Sequence, residues 1–280
     1  GWVTATKTIA RAVATGALPG RLWLYSNYHC NLACTYCLTD SAPGVLRREL
    51  PPERMLALAE EARGLGFTEV GVTGGEPFLR PEMPVVLARL ARVLPVVALS
   101  NGTLFAGRRL DRLRVLAGLP VKIQISLDHP ESGPNDAARG QGSFAGALGA
   151  IMSLREMGVG VRVATTVEAI TQQQLERLCA LHRGLGIDEE DHVVRPVVRR
   201  GRAAKRDLGV AVGRDDLPPE LTVTVDGAFW NPFGPTIADG RLDTDLLITR
   251  TISPLSVAAV ALLGLVEGRP PGADAATGIR

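Results

Sequence analysis

Cysteine and aromatic residues are both scarce in this chain. Only four of the 280 residues are cysteine, and phenylalanine, tryptophan and tyrosine together make up 4%. Three cysteines form one cluster and the fourth stands apart, which is not the paired framework of a secreted disulfide domain, so we expect a reducing, cytoplasmic location. With few rings for base stacking and a net charge of only +2, we expect no nucleic-acid partner.

Long apolar runs are also missing. The longest, Val257–Val266, is too short to span a bilayer, so no membrane partner is expected. A hydrophobic content of 46% and a charged content of 21% are typical of a globular protein. A chain of 280 residues is long enough for one large α/β domain with a smaller appendage.

Apolar strand segments alternate with helical segments over residues 21–200. The predicted strands are Leu22–Ser26, Glu69–Thr73, Val96–Ser100, Val121–Ser126, Val159–Val167 and Val193–Val198. This alternation predicts parallel strands joined by right-handed helical crossovers, and the number of strands suits a curved, partly open barrel of the α/β class. The polar motifs described below follow the carboxyl ends of these strands, where parallel barrels bind their ligands.

The segments on either side of this alternation are predicted differently. Residues 1–20 form a lead-in to the first strand. Residues 201–267 are predicted to form a small α+β extension, because the alternation breaks after Val198 and Asp226-Gly227 indicates a hairpin turn. Residues 268–280 are rich in glycine, proline and alanine, which predicts a disordered tail.

The clustered cysteines have the spacing Cys-x3-Cys-x2-Cys and are Cys30, Cys34 and Cys37. A [4Fe–4S] cluster normally takes four cysteines, so three would leave one iron open, and an open metal position indicates chemistry. The alternative from another class is a zinc-stabilised interaction domain with His29 or Cys179 as the fourth ligand. Zinc sites usually use paired Cys-x2-Cys hooks, and His29 directly adjoins Cys30, an awkward geometry.

Four motifs together resemble those of the radical S-adenosylmethionine (SAM) superfamily, over residues 22–206. The cysteine run resembles its signature, Thr73–Pro77 resembles its GGEP turn, and Ser100–Thr103 resembles the end of its third strand. The stretch from Ser126 through Arg139 to Phe144 is similar to that of the subgroup with SPASM or twitch extensions. Four motifs in this order are specific. The resemblance implies a partial (β/α)6 barrel of the radical SAM type.

The resemblance also implies a function. One [4Fe–4S] cluster on the three cysteines, reduced by a flavodoxin or ferredoxin-type partner, would cleave SAM to a 5′-deoxyadenosyl radical that abstracts hydrogen from a substrate. We expect Glu76 to accept from the SAM ammonium, Ser126 and Arg139 to contact its carboxylate, and Tyr36 to present its backbone to the adenine. The full set of expected SAM contacts is Tyr36, Gly74, Gly75, Glu76, Pro77, Asn101, Ser126, Asp128, Arg139 and Thr166.

This chain departs from those relatives in having no cysteine beyond Cys179, which excludes an auxiliary cluster held by this chain. Only about twenty residues precede the first strand, so no leader-peptide-binding domain is expected. We therefore expect a small-molecule substrate and a redox-neutral outcome such as epimerisation, rearrangement or elimination. Radical SAM modification of a ribosomal peptide is the alternative.

Two further sets of residues have open interpretations. Arg195, Arg199 and Arg200 are candidates for binding a substrate anion, and a solvated linker is the competing interpretation. Cys179 is the one thiol left to donate a hydrogen atom in an epimerase. Its place within a predicted helix favours a buried structural cysteine instead.

Overall fold

The computed structural model describes residues 2–168 and 170–267, and it contains the predicted alternation of strands and helices. The strands are β1 (Arg21–Tyr25), β2 (Glu69–Thr73), β3 (Val96–Ser100), β4 (Val121–Ser126), β5 (Gly160–Val167), β6 (His192–Pro196), β7 (Thr222–Thr224), β8 (Gly227–Phe229), β9 (Ile237–Ala238), β10 (Arg241–Leu242) and β11 (Leu247–Thr249). The helices are α1 (Trp2–Ala14), α2 (Pro52–Leu65), α3 (Met83–Leu90), α4 (Gly107–Arg112), α5 (Ser132–Arg139), α6 (Ser143–Glu156), α7 (Gln172–Gly184), α8 (Arg202–Lys205) and α9 (Leu255–Glu267).

Strands β1 to β6 lie side by side in chain order, and every neighbouring pair is parallel. Each pair is connected through at least one helix, which covers the sheet and buries its apolar side chains. Because all six strands run the same way, their carboxyl ends meet at one rim. The predicted α/β architecture with a parallel sheet is therefore confirmed.

The chain beyond residue 200 extends the same sheet. Strand β7 pairs in parallel with β1, opposing Val223 to Leu24, and β8 and β11 follow in antiparallel pairing. The hairpin expected around Asp226-Gly227 is present between β7 and β8, and Trp230 just after it is fully buried. The division into residues 21–200 and 201–267 stays a prediction, but the two parts share one sheet and one apolar core.

Two segments had no specific structural prediction. The lead-in contains helix α1, and Ile9 and Leu18 from this region are buried in the core. The short polar helix α5 lies between β4 and α6. The predicted tail at 268–280 lies outside the described residues. No helix within the described ranges combines the length and the hydropathy needed to cross a bilayer.

A buried histidine of α7, His182, packs against a half-buried histidine of β6, His192. The ring of His182 is buried, and neither of its nitrogens has a hydrogen-bond partner within the described part of the chain. The ring of His192 lies edge-on to it, with 4.1 Å between centroids. Burial, and then the proximity of His192, lowers the pKa of His182 to about 3. Burial also lowers the pKa of His192.

We predict that this pair destabilises the fold in acid. An unfolded histidine takes up a proton near pH 6.5, whereas folded His182 stays neutral down to about pH 3. The unfolded chain therefore binds more protons in this window, so the free energy of unfolding falls as the pH falls. His182→Phe should flatten this dependence by up to about 1.4 kcal/mol per pH unit, measured by urea unfolding between pH 7.5 and pH 5. If the free energy of unfolding of His182→Phe depends on pH as steeply as that of the wild type, the prediction is wrong. His129→Phe, in the loop after β4, is the control.

Candidate active site

A cavity of about 170 Å³ opens at the carboxyl ends of the parallel strands. Every barrel strand contributes to its lining, with Tyr25, Thr73, Ser100, Ser126, Thr166 and Arg195 from β1 to β6 in order. The three clustered cysteines line it too, and Phe233 from the extension closes one side. Of the predicted SAM contacts, the lining includes Tyr36, Gly74, Gly75, Glu76, Asn101, Ser126, Arg139 and Thr166. Pro77 and Asp128 are not among the described lining residues.

The cysteine loop follows β1 and carries three free thiols. Cys30 is buried, and its sulfur is 3.7 Å from the side-chain nitrogen of Asn101. Burial, and then the neighbouring Glu76 carboxylate, raises the pKa of Cys30 to about 12. Burial also raises the pKa of Cys34, opposed by the Arg139 guanidinium. Thiols held protonated in this way ionise on binding a metal centre, which releases their protons.

The three thiols can be compared with the ligand spacing that a single metal ion requires. A tetrahedral zinc ion with Zn–S bonds of about 2.3 Å brings its sulfurs to about 3.8 Å from each other. Among residues 2–168 and 170–267, only Asp188, Glu190 and Asp191 form a group of three potential ligands whose atoms all lie within 4.8 Å of one another. The cysteines form no such group. Three free thiols around one cavity are the ligand set for an iron–sulfur centre that keeps one iron open.

The glycine turn after β2 packs against the chain that leads into the cysteine loop. A Cβ atom on Gly75 would lie 2.1 Å from the carbonyl oxygen of His29, and one on Gly74 would lie 2.3 Å from that of Asn27. The backbone nitrogens of Gly75 and Glu76 donate to these same two carbonyls, at 2.8 and 2.9 Å. The glycines are therefore required by close backbone packing, and they also line the cavity.

Glu76 connects this turn to the end of β3. Its buried carboxylate accepts hydrogen bonds from the backbone nitrogens of Phe78 (3.0 Å) and Asn101 (2.7 Å) and from the Ser100 hydroxyl (3.1 Å). Burial outweighs these donors and raises the pKa of Glu76 to about 7. Asn101 in turn donates to Asn31 at 3.0 Å and accepts from Thr103. The ends of β2 and β3 are thereby tied to the cysteine loop.

A second buried network lies on the opposite side of the loop. The Tyr36 hydroxyl contacts both the Asp128 carboxylate and the Arg139 guanidinium, and the latter two groups are 3.4 Å apart. Asp128 also accepts from the backbone nitrogen of Thr166 at 2.9 Å. The Nε of Arg139 is buried without a partner among the described residues. The role expected for Tyr36 involves its backbone, whereas the structure also places its hydroxyl at the centre of this network.

The three candidate substrate cations separate in the structure. Arg195 lines the cavity, with its guanidinium 5.3 Å from the centroid of the Phe233 ring and 3.5 Å from the Thr166 hydroxyl. Arg199 is exposed and contacts Asp207 and the carbonyl of Gly209 outside the cavity.

Arg200 is buried, and its guanidinium is engaged by residues of the extension. It makes two hydrogen bonds to Asp245, at 2.7 and 2.8 Å, and two to the carbonyls of Phe233 and Gly234. The geometry therefore leaves only Arg195 of these three facing the cavity. The sequence pattern showed a run of cations but not the direction of each side chain.

Cys179 is absent from the described residues that line the cavity. It lies in α7, and its sulfur is 3.9 Å from Nδ1 of His192. Sequence reasoning missed Trp23, Gln124 and Phe233, which do line the cavity. The alternation of side chains along β1 and β4 could have predicted that Trp23 and Gln124 face the inside of the barrel. No sequence signal near Phe233 predicts its contact with Arg195.

Comparison with known proteins gives a family match. The Radical SAM superfamily matches residues 24–181, more than half of the chain. Mycofactocin maturase MftC of Mycobacterium tuberculosis is 33% identical over 159 residues, 55% of this chain and 39% of that protein. AlbA of Bacillus subtilis, an antilisterial bacteriocin subtilosin biosynthesis protein, is 31% identical over 57% of this chain and 36% of its own length. Pre-heme d1 synthase of Dinoroseobacter shibae is 33% identical over 57% and 39%.

Solved structures show the same fold. Native anSMEcpe with bound S-adenosylmethionine has a TM-score of 0.62 and 13% identity, covering 88% of this chain and 83% of that one. Streptococcus suis SuiB bound to the precursor peptide SuiA has a TM-score of 0.58 and 16% identity, covering 75% and 47%. At these identities the likeness shows the fold alone, a partial barrel. The matched part spans about two fifths of the length of the curated relatives.

We predict that Gly75→Ala destabilises the protein. The new methyl group must displace the backbone of Tyr28 and His29 directly before Cys30, so the free energy of unfolding should fall by about 1–3 kcal/mol in urea titrations of the apoprotein. Gly64→Ala is the matched control. Gly64 is in helix α2 with open space around it, so this variant should gain about 0.5–1 kcal/mol. Equal effects of the two substitutions would show that the turn is not closely packed.

Proposed function

We propose that this chain, which belongs to the radical SAM superfamily, removes a hydrogen atom from a small molecule that carries a carboxylate. The observation that carries the proposal is one cavity in which the three free thiols, the glycine turn and the cations Arg139 and Arg195 meet. The chemistry of the thiols fits the [4Fe–4S] cluster that this family uses with SAM. The second cation provides a place for the substrate.

The thiols of Cys30, Cys34 and Cys37 would hold the cluster, whose open iron would take SAM. Bound together, the cluster and SAM supply a 5′-deoxyadenosyl radical that takes hydrogen from an unactivated C–H bond. The described cavity walls include the apolar side chains of Leu99, Val193 and Phe233, which would help to keep water from the reacting groups. The protein contributes binding, orientation and the exclusion of side reactions.

Arg139 is the proposed partner of the SAM carboxylate. Its buried Nε has no partner among the described residues, and a guanidinium pairs well with a planar carboxylate. Tyr36 and Asp128 fix the other side of the guanidinium, so the group is oriented before SAM binds. Ser126 lies beside it in the lining, and the backbone around Glu76 provides acceptors for the SAM ammonium.

Arg195 is the proposed partner of a substrate carboxylate. The charged side chains in the described lining are Arg139, Arg195 and Glu76. Burial holds the pKa of Glu76 near 7 and lowers the pKa of Arg195, so the cavity penalises its own cation. No ion pair to Arg195 is found within the described ranges. An incoming carboxylate would supply the missing counter-charge, while the Phe233 ring supports the guanidinium plane.

A redox-neutral outcome is the proposed reaction class, namely epimerisation, rearrangement or elimination. The chain has no cysteine beyond Cys179 with which to hold a second cluster as an electron acceptor. Cys179 lies away from the cavity lining, which argues against it as the hydrogen donor of an epimerase. Consumption of one SAM with a redox-neutral change of the substrate takes up two electrons and one proton, one electron for SAM cleavage and one to reduce the product radical. A flavodoxin or ferredoxin-type protein would supply both electrons.

Modification of a peptide is the second candidate. It is favoured by the likeness to SuiB, whose solved structure holds a precursor peptide, whereas pre-heme d1 synthase is a relative whose name indicates a different class of product. In the peptide case the same Arg195 would receive a carboxylate of the peptide. The two candidates differ in the size of the molecule that must reach the cavity.

We predict that anaerobic reconstitution gives a brown protein with about four irons and four sulfides per chain. The reduced protein should convert SAM to 5′-deoxyadenosine and methionine, detected by chromatography. Replacing Cys30, Cys34 and Cys37 together with alanine should abolish iron binding. Cys179→Ala should retain both iron and turnover. A colourless protein with stoichiometric zinc would instead support the interaction-domain alternative, and S-adenosylhomocysteine as the product would contradict the proposed reaction.

We predict that Arg195→Met loses the response to substrate while keeping basal SAM cleavage. An extract of the source organism is separated by ultrafiltration and anion exchange, and each fraction is tested for stimulation of 5′-deoxyadenosine formation. Small anions should stimulate the wild type, and Arg195→Met should weaken this by about tenfold or more, the effect of losing a charge-assisted hydrogen bond.

Arg199→Met is the matched control, because Arg199 contacts only groups outside the cavity in the described structure. The peptide candidate would be favoured if only the fraction retained by the filter stimulates 5′-deoxyadenosine formation, and if protease treatment of that fraction abolishes the stimulation. Equal stimulation of the wild type and Arg195→Met by small anions would overturn the role of Arg195.

A further inference from the structure

The second half of the cysteine loop, Cys34–Ser41, has its carbonyl groups bound by the chain that follows the barrel. The carbonyls of Cys34, Cys37 and Ser41 accept from Arg202, through Nη1 (2.8 Å), the backbone nitrogen (2.9 Å) and Nη2 (2.8 Å) respectively. The Leu38 carbonyl accepts from the Thr236 hydroxyl, and that of Thr39 accepts from the backbone nitrogen of Ile237 at 3.3 Å. One residue thus makes three of these five contacts.

The Arg202 side chain is well placed for this role. It is only 15% exposed, and its guanidinium also lies 3.1 Å from the Asp40 carboxylate. Lys205, one turn further along α8, contacts the same carboxylate at 2.6 Å. A planar guanidinium fixes the directions of its N–H donors. The two terminal nitrogens of Arg202, which form a rigid fork, therefore set the distance between the carbonyls of Cys34 and Ser41.

The backbone before Arg202 packs directly on the loop. Gly201 has a φ of 55°, and a Cβ atom there would lie 2.3 Å from the Leu38 carbonyl oxygen and 2.8 Å from that of Cys37. No side chain fits between the two segments. The loop and the start of α8 therefore form one packed unit rather than two surfaces that touch loosely.

The first half of the loop is held differently. The backbone nitrogen of Cys30 donates to Ala42 at 3.3 Å, and the side chains of Asn31 and Asn101 are 3.0 Å apart. Those contacts come from the loop itself and from the barrel strands. In the second half, the barrel holds Thr35 and Tyr36 through Ala138 and the network of Asp128 and Arg139. The carbonyls of this half are held from the other side, by Arg202 and by residues of the extension.

We propose that Arg202 is a positioning residue that orders the Cys34–Ser41 segment for cluster binding, so that the cysteine-poor extension acts as a support for the cluster loop. The inference rests on the proposed function only for the identity of the cluster. The order of the loop is a property of the apoprotein and can be measured without turnover.

The first experiment is hydrogen–deuterium exchange on the full-length apoprotein, comparing the wild type with Arg202→Met, Arg202→Lys and Arg206→Met. Arg206 is the matched control, since it is exposed and no hydrogen bond or ion pair of its side chain is found in the described part of the chain. Amides of residues 34–41 should exchange about tenfold faster or more in Arg202→Met, because charge-assisted hydrogen bonds are lost. Arg202→Lys should be intermediate, because it keeps the charge facing Asp40 but lacks the fork.

The second experiment uses the reconstituted protein. Iron should be lost to a chelator about tenfold faster or more in Arg202→Met, and the EPR spectrum of the reduced cluster should change, while Arg206→Met matches the wild type in both. Wild-type exchange at residues 34–41 in Arg202→Met would overturn the proposal. So would faster exchange spread evenly over β1 to β6, which would mean general support of the fold. If Arg202→Met does not fold, Arg202→Lys is judged by the same criteria.

Discussion

The close packing of the Gly74-Gly75 turn against residues 27–29 is the constraint from which the site is built. It joins the chain after β1 to the chain after β2 through two backbone hydrogen bonds, with no space for a side chain. That contact places Glu76 under the end of β3, where Ser100 and Asn101 donate to its carboxylate. Because Asn101 also reaches the cysteine loop, three neighbouring strand ends are fixed relative to the thiols.

The electrostatics of the cavity follow from the same burial. The Glu76 carboxylate accepts hydrogen bonds from backbone and hydroxyl donors, and burial raises its pKa to about 7, so it offers little free counter-charge to the cavity. Asp128 is buried and shared between Tyr36, Arg139 and the Thr166 backbone. The guanidiniums facing the cavity are thus left to attract anions, and a desolvated guanidinium is stabilised most by a carboxylate that binds it directly. This is the physical reason for assigning one anion to SAM and one to the substrate.

Sequence reasoning recovered the barrel because its signals are local. The strands β2, β3 and β4 have the predicted bounds, since short apolar runs end at glycine, proline or polar turn residues. The cysteine spacing and the glycine turn were equally readable. The hydroxyl of Tyr36 was not, because its partners Asp128 and Arg139 lie about a hundred residues away in the chain. The direction of each arginine after β6 was also unreadable, since a run of cations carries no information about which carbonyl or carboxylate each one meets.

The extension shows how a segment without cysteines can still serve a metal site. The side chains that bind a metal cluster are positioned by the backbone that carries them and by hydrogen bonds from neighbouring residues. Here three loop carbonyls converge on one arginine: those of Cys34 and Ser41 on the Arg202 guanidinium, and that of Cys37 on the Arg202 backbone nitrogen. Strands β7, β8 and β11 anchor the rest of the extension to the edge of the barrel sheet at β1. A support of this kind depends on backbone geometry and one arginine rather than on metal ligands. The extension can therefore lack every auxiliary cysteine and still remain coupled to the site through the loop that it holds.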